Sequence, residues 1–336
     1  MPAQPSRTPW PTAAWPTGEL ADADPTGRVE ELLDRAFPDP PGEPYGATLA
    51  LVVVHRGQLV AERYGVTTGP DEALISWSMA KSVTHALVGV LVKGGALRLQ
   101  HRAPVPEWAD PEDPRHPITL DHLLRMVPGT EFNEDYLDET NSHCIEMLFG
   151  SGQADMAAYT AMLPRVAAAD SVFNYSSGTT NLITRAMADI VGSGEVFEAW
   201  MRRALFNPIG MSSATPGFDG AGTWVGSSFL NATARDFAKF GLLYQRDGVW
   251  DGERLLPEGW VDQARTVRAH ADDGRAYGSH WWIWDEEREV FAAQGYETQR
   301  ILVDPASDVV VVRLGKTPSE KAPAVDAWLA EILDCF

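Results

Sequence analysis

Ser78 and Lys81 stand three residues apart in Ser76-Trp77-Ser78-Met79-Ala80-Lys81-Ser82, where an extended stretch gives way to an apolar run from Val83 to Val92. At the start of a helix that spacing brings both side chains onto one face. A serine hydroxyl is a weak nucleophile at neutral pH and needs a base beside it. A lysine one turn on is that base once burial takes away its charge. The helix start adds unpaired N–H groups and the positive end of the helix dipole, both suited to a developing oxyanion. The same pair also fits an N-cap serine followed by a solvated lysine. It is the one Ser-x-x-Lys in the chain.

A proton taken from Ser78 must reach the leaving group, and a tyrosine beside an ammonium can carry it. Tyr175, in Phe173-Asn174-Tyr175-Ser176-Ser177-Gly178, lies in a turn-forming stretch ahead of a helix, where side chains are presented rather than buried. Ser177 is placed to hydrogen-bond Lys81 or a substrate. A half-buried loop tyrosine among capping serines would look the same. Tyr277-Gly278-Ser279 repeats the pattern but leads into a strand, which makes it the weaker candidate. A third stretch runs Phe291-Ala292-Ala293-Gln294-Gly295-Tyr296-Glu297. Glycine inside a strand often marks close approach by a ligand, so the N–H groups of Ser78 and Tyr296 form a candidate oxyanion hole. A plain hairpin turn at 295–297 is the alternative.

These residues need a scaffold. Residues 1–24, rich in Pro, Ala and Thr with Trp10 and Trp15, read as an extended arm. An amphipathic helix opens at Asp24-Pro25-Thr26, runs through Val29, Leu32, Leu33 and Phe37, and is broken by Pro40-Pro41-Gly42. Thr48–His55 and Gln58–Tyr64 read as a hairpin turning at Arg56-Gly57. Helices dominate from Ala96 to about Asp273, with Thr233 as one N-cap. Beyond Tyr277, the segments Trp281–Trp284, Val290–Ala293, Arg300–Val303 and Val309–Leu314 read as antiparallel strands, and Ala324–Leu333 as a closing helix. The expected architecture is α+β. Residues 25–95 and 277–336 share one antiparallel sheet flanked by the first and last helices, residues 96–276 form a mainly helical lobe, and the Ser78 helix lies at the boundary, where clefts form.

Composition narrows the function. A chain of 336 residues with 44% hydrophobic content builds a sizeable core. A net charge of −20 argues against nucleic acid or an anionic membrane surface as partner, and no run approaches the ~20 apolar residues of a membrane span. Cys144 and Cys335 lie far apart without metal-ligand spacing, which with an N-terminus lacking an apolar signal core points to free thiols and the cytoplasm. The eight histidines form no metal pattern, and His85, one turn after Lys81, reads as a packed helix residue. Neither a Gly-rich phosphate loop nor a Gly-x-Ser-x-Gly elbow is present. No metal and no organic cofactor is expected. The oligomeric state stays open between monomer and homodimer.

Taken together these motifs resemble the serine hydrolase superfamily of β-lactamases, penicillin-binding proteins and related esterases, over nearly the whole chain after residue 45. Ser78-x-x-Lys81 matches its first motif and Tyr175-Ser176-Ser177 its second. Gln294-Gly295 falls where that family has Lys-Thr-Gly or a variant, and Asn231–Gly241 is similar to a stretch of class C-like members. Phe132-Asn133-Glu134-Asp135-Tyr136 and Phe173–Ser177 resemble the 6-aminohexanoate-dimer (nylon-oligomer) hydrolase branch, in which a tyrosine at the position of Tyr136 helps hold the scissile amide nitrogen. The resemblance implies a β-lactamase/transpeptidase-like fold and a serine hydrolase of small esters or amides. Ser78 is then the nucleophile, Lys81 the base and Tyr175 the proton relay, while Trp77, Tyr136, Ser177, Gln294 and Gly295 bind substrate in a cleft made aromatic by Trp77, Tyr136, Trp224 or Trp281. Penicillin-recognising members place Lys or His at the position of Ala293, which weakens the alternative of β-lactamase or peptidase activity. Glu131, Glu134, Asp135, Asp138 and Glu139 crowd the rim and would favour neutral or cationic substrates. A catalytically silent binding module of the same fold is the alternative of another class; the presence of Ser78, Lys81 and Tyr175 together weighs against it.

Overall fold

The computed structural model describes residues 1–5, 8–38, 42, 44–138 and 140–336. The break expected at Pro40-Pro41 and the Glu139 carboxylate lie outside the described residues. The elements that frame the site are, in chain order, α1 (Arg28–Ala36), β1 (Ala47–His55), β2 (Gln58–Tyr64), α2 (Met79–Lys93), α3 (His143–Phe149), α4 (Ser177–Val191), α5 (Ala234–Gln245), β3 (Ala269–His270), β4 (Ala276–Tyr277), β5 (Trp282–Asp285), β6 (Val290–Gly295), β7 (Gln299–Asp304), β8 (Val309–Lys316) and α6 (Ala322–Leu333).

The eight strands make one sheet in the order β2-β1-β8-β7-β6-β5-β4-β3. The early hairpin is thereby sewn to the C-terminal strands, with Ala47 opposite Lys316 and His55 opposite Val309 in antiparallel register. Side chains alternate between two faces, as a strand's period of two requires. Ala50, Val52 and Val54 of β1, with Val310 and Val312 of β8, join the core shared with α2 and α5. Leu51, Val53, Val309 and Val311 face the other way, onto Val29, Leu32 and Leu33 of α1 and Val325, Trp328 and Leu329 of α6. Covering both faces explains why these strands are apolar at nearly every position instead of alternating with polar residues.

The chain is an α+β protein, with one antiparallel sheet between two helical layers, as the sequence leads one to expect. The two-residue strands β3 and β4, which extend the sheet at one edge, have no counterpart in the sequence reading. The arm lies along the body: Thr17 forms a parallel bridge with Leu59, and the Trp10 ring packs 5.0 Å from that of Trp250. Cys144 and Cys335 are free thiols. Among the described residues no helix is long and apolar enough to cross a membrane.

Candidate active site

Helix α2 is apolar around its circumference, and Met79 through Gly89 and Leu91 are buried, the pattern of a helix threaded through a core. Lys81 is carried in with it and is 1% exposed, so the solvated-lysine reading does not hold. Ser78 occupies the N-cap position but makes no capping bond with its side chain. Its Oγ lies 2.9 Å from Lys81 Nζ. The same nitrogen is 2.9 Å from Ser177 Oγ at the start of α4 and 3.0 Å from the carbonyl oxygen of Ser227. Asn181, one helical turn beyond Ser177, accepts the Ser227 N–H at 3.3 Å and so helps hold that peptide in place.

The Glu134 carboxylate continues the chain. It accepts from the backbone N–H of Ser177 at 2.7 Å, from Ser177 Oγ, and from the Tyr136 hydroxyl at 3.0 Å. A carboxylate only accepts. Ser177 must therefore donate to Glu134 and receive from Lys81. With two N–H groups engaged by Ser177 and Ser227, a neutral Lys81 amine is left with its lone pair for the Ser78 hydroxyl. The network thus fixes Lys81 Nζ between Ser78, Ser177 and the Ser227 carbonyl. Burial of its hydroxyl and the neighbouring Glu134 push the Tyr136 phenol well above its ordinary range, so Tyr136 stays a donor.

Tyr175 is set between these groups and the sheet. Lys81 Nζ lies over its ring, 4.8 Å from the centroid, and the ring packs against Trp282 at 5.4 Å and Tyr277 at 6.2 Å. Asn174 next to it donates to the carbonyls of Thr130 and Phe132 at 3.3 and 3.1 Å, tying this loop to the one bearing Glu134. Tyr277 is 1% exposed and backs the Tyr175 ring from within the core.

The end of β6 closes the site from the other side. A Cβ on Gly295 would lie 2.4 Å from the carbonyl oxygen of Ser76. The glycine does mark a close approach, that of the chain's own backbone at Ser76. Past it, Glu297 and Thr298 take φ of 57° and 62°, and across the cleft Trp77 takes 45°, conformations that cost side-chain-bearing residues roughly 1–3 kcal/mol each. Trp77 Nε1 donates to Glu297 Oε2 at 3.3 Å, and its ring meets that of Tyr296 edge-on at 5.9 Å. The two segments that carry the Ser78 and Tyr296 N–H groups are therefore clamped to each other. Behind them Arg313, fully buried, donates to the carbonyls of Glu297 and Thr298 at 3.0 and 3.2 Å and to Thr317 Oγ1 at 2.7 Å. Burial pushes its pKa down to about 9, so at neutral pH it remains a cation held by carbonyl and hydroxyl dipoles.

Ser78 opens onto two cavities. One, of about 530 Å³, is lined by Tyr175, Trp282, Gln294, Gly295, Arg275 and Glu297 among others. The second, of about 90 Å³, is bounded by Trp77, Cys144, Ile145, Leu148 and Phe149. Tyr136 and Tyr296 border both. Of the nine residues singled out from the sequence, eight line one or both of these cavities, and Lys81 is bonded to Ser78 where the two meet. Two of the expected aromatic walls line neither: Trp224 and Trp281 are fully buried, Trp281 lying 4.4 Å from the Tyr244 ring, and Trp282 takes the place at the cleft. His85 is packed, stacked on Trp260 at 4.7 Å with Nδ1 2.7 Å from Tyr244 Oη. Ala293 faces the core, so the expectation that this position would meet a β-lactam carboxylate does not hold. The acidic rim does not act alone, because Arg275 and Arg300 line the larger cavity and Glu134 is engaged inward. Among the described residues no cluster of His, Cys, Asp or Glu could hold a metal ion.

A family model described as Beta-lactamase matches residues 33–334. A 6-aminohexanoate-dimer hydrolase from Paenarthrobacter ureafaciens is 27% identical over 331 residues, covering 92% of this chain and 83% of that protein. Among solved structures, one assigned as a 6-aminohexanoate-dimer hydrolase from Bacillus anthracis superposes with a TM-score of 0.77 at 25% identity, over 96% of this chain and 86% of the other. A penicillin-binding protein homologue from Caulobacter crescentus shares the fold, with a TM-score of 0.72 at 16% identity over 96% and 99% of the two chains.

Proposed function

The chain belongs to the β-lactamase family of serine hydrolases, and on that footing we propose that it cleaves small carboxylic esters or amides through an acyl-enzyme on Ser78. The observation that carries this reading is the continuous chain Ser78–Lys81–Ser177–Glu134, which leaves Lys81 one direction in which to accept a proton. Ser78 Oγ adds to the carbonyl carbon, its proton passes to Lys81 Nζ, and the carbonyl π pair moves onto oxygen between the N–H groups of Ser78 and Tyr296. Collapse breaks the bond to the leaving oxygen or nitrogen, which takes the Tyr175 proton. The Tyr175 phenolate then regains the proton held on Lys81. Water adds to the acyl carbon by the same route in reverse, releasing the acid and restoring the Ser78 hydroxyl. Trp77, Tyr136, Gln294 and Gly295 border the substrate, and the Tyr136 hydroxyl, whose proton goes to Glu134, accepts from the scissile amide N–H.

The test is a fluorophosphonate serine probe with peptide mapping. Labelling at Ser78, abolished in Ser78→Ala together with p-nitrophenyl butyrate hydrolysis, supports the enzyme. Folded protein that neither labels nor hydrolyses would be the binding module instead. Losing a nucleophile that acts as a unit with its base costs on the order of 10⁶ in kcat.

A further inference from the structure

The two cavities that meet at Ser78 differ in chemistry as well as in size. The larger is wet and charged, with Glu134, Arg275, Glu297 and Arg300 on its walls. No charged side chain borders the smaller. Its hydroxyls sit beside the nucleophile and are already engaged: Ser177 with Lys81 and Glu134, and Ser228 Oγ with Ser227 Oγ at 3.0 Å. Apart from Tyr136, whose hydroxyl donates to Glu134, and Tyr296, which border both cavities, what remains facing the space is carbon and the Cys144 thiol, which burial pushes up and keeps uncharged.

Tyr175 lines the larger cavity and not the smaller. A leaving group that takes its proton from Tyr175 must lie in the larger one. The acyl chain, on the opposite side of the same carbonyl carbon, then points the other way. We propose that the pocket formed by Trp77, Cys144, Ile145, Leu148 and Phe149 is the acyl-binding site, and that it selects short, unbranched, uncharged acyl groups while the wet cleft accepts a polar leaving group. This assignment rests on the acyl-enzyme reading above. At roughly 10–15 Å³ per water-sized sphere, a cavity of about 90 Å³ holds about six to nine such spheres, and, a methylene being larger than one sphere, a chain of about four to six carbons. An ammonium at the chain's end would lose its hydration there with no partner to replace it.

The experiment is kcat/KM for p-nitrophenyl esters from acetate to decanoate, together with the 6-aminohexanoate ester. Each added methylene should raise kcat/KM about fourfold, corresponding to about 0.8 kcal/mol, up to four to six carbons, after which the rate falls. The hexanoate ester should exceed its ω-amino counterpart at least tenfold. Ile145→Phe should move the optimum about two carbons shorter, and Leu148→Ala about two carbons longer. Leu148 is itself buried, so Ile145→Phe and the wild-type series stand if the Leu148 variant fails to fold. Hydrolysis with Ser78 labelling but no chain-length optimum, or an optimum that neither variant moves, overturns the pocket assignment and leaves the acyl-enzyme intact. Absence of both labelling and ester turnover overturns the acyl-enzyme reading and the assignment with it.

Discussion

Replacing Glu134 by glutamine keeps the size of the side chain and removes one of its two acceptor atoms. In the native site Glu134 Oε1 accepts from Ser177 Oγ and from Tyr136, and Oε2 from the Ser177 N–H. The best an amide can do is to keep its oxygen at the Oε1 position, which turns an NH2 group toward the Ser177 N–H, donor against donor. Hydrogen bonds to charged groups contribute about 1.5–3 kcal/mol, so losing the one from the Ser177 N–H loosens the start of α4, and the Ser177 hydroxyl with it, by about 2 kcal/mol. If the whole of that is felt in the transition state, kcat/KM falls about 30-fold. The assay is ester hydrolysis by Glu134→Gln, Ser177→Ala and the double variant, with thermal unfolding as a check on folding. Because both residues act through one hydrogen-bond chain, their losses should be far from additive. Additive losses, or a Glu134→Gln enzyme within threefold of wild type, would refute the idea that the carboxylate sets the direction of the Lys81 lone pair.

Lys81→Arg should be inactive by at least 10³-fold with the fold retained, since a guanidinium keeps its proton; turnover by that variant would exclude lysine as the base. Arg313→Met strands the carbonyls of Glu297 and Thr298 in the core, at about 1–3 kcal/mol each, and denaturant unfolding should show a loss of about 3 kcal/mol or more. Chromogenic cephalosporin should be turned over at least tenfold less efficiently than p-nitrophenyl butyrate, because its bulky, branched acyl part does not fit a cavity of about 90 Å³, and parity would remove that cavity from the specificity. His85 and His280 are buried, and desolvation lowers both pKa values, that of His280 to about 3. The unfolded chain takes up protons below about pH 6.5 while the folded protein does not, so stability is fully present above that pH and is lost as pH falls toward 3, by up to about 1.4 kcal/mol per unit for each histidine. Unfolding midpoints measured between pH 7 and 5 should fall accordingly, and His280→Gln should flatten the slope.

Much of this was legible because it is written in periodicity. A three-residue offset at a helix start brings Ser78 to Lys81 wherever the helix lies, and the apolar runs around Arg56-Gly57 and Val309–Leu314 leave few ways to pair. Tyr175 and Ser177 were legible as residues presented ahead of a helix. What escaped has no local signature. Glu134 reads as one acid among several in a wet loop, and its inward turn depends on an N–H of Ser177, 43 positions away. The Ser227 oxygen at Lys81 belongs to backbone. Arg313 interrupts a valine-rich strand and looks like an edge residue until the turn behind it is in place. Trp281 and Trp282 exchange roles because neighbouring residues face opposite ways, so a boundary error of one position changes wall for core.

The left-handed backbone at Trp77, Glu297 and Thr298 bears on how such an enzyme responds to selection. Strain of this kind is stability forgone, and stabilising substitutions are easily found where it is held. A library screened for heat resistance alone would collect glycine or asparagine at 297, residues that enter this region at little cost, and would release the grip of Glu297 on the Trp77 indole. A library screened for turnover would keep the strained side chains. Position 297 is thus where endurance and catalysis are expected to pull the sequence in opposite directions.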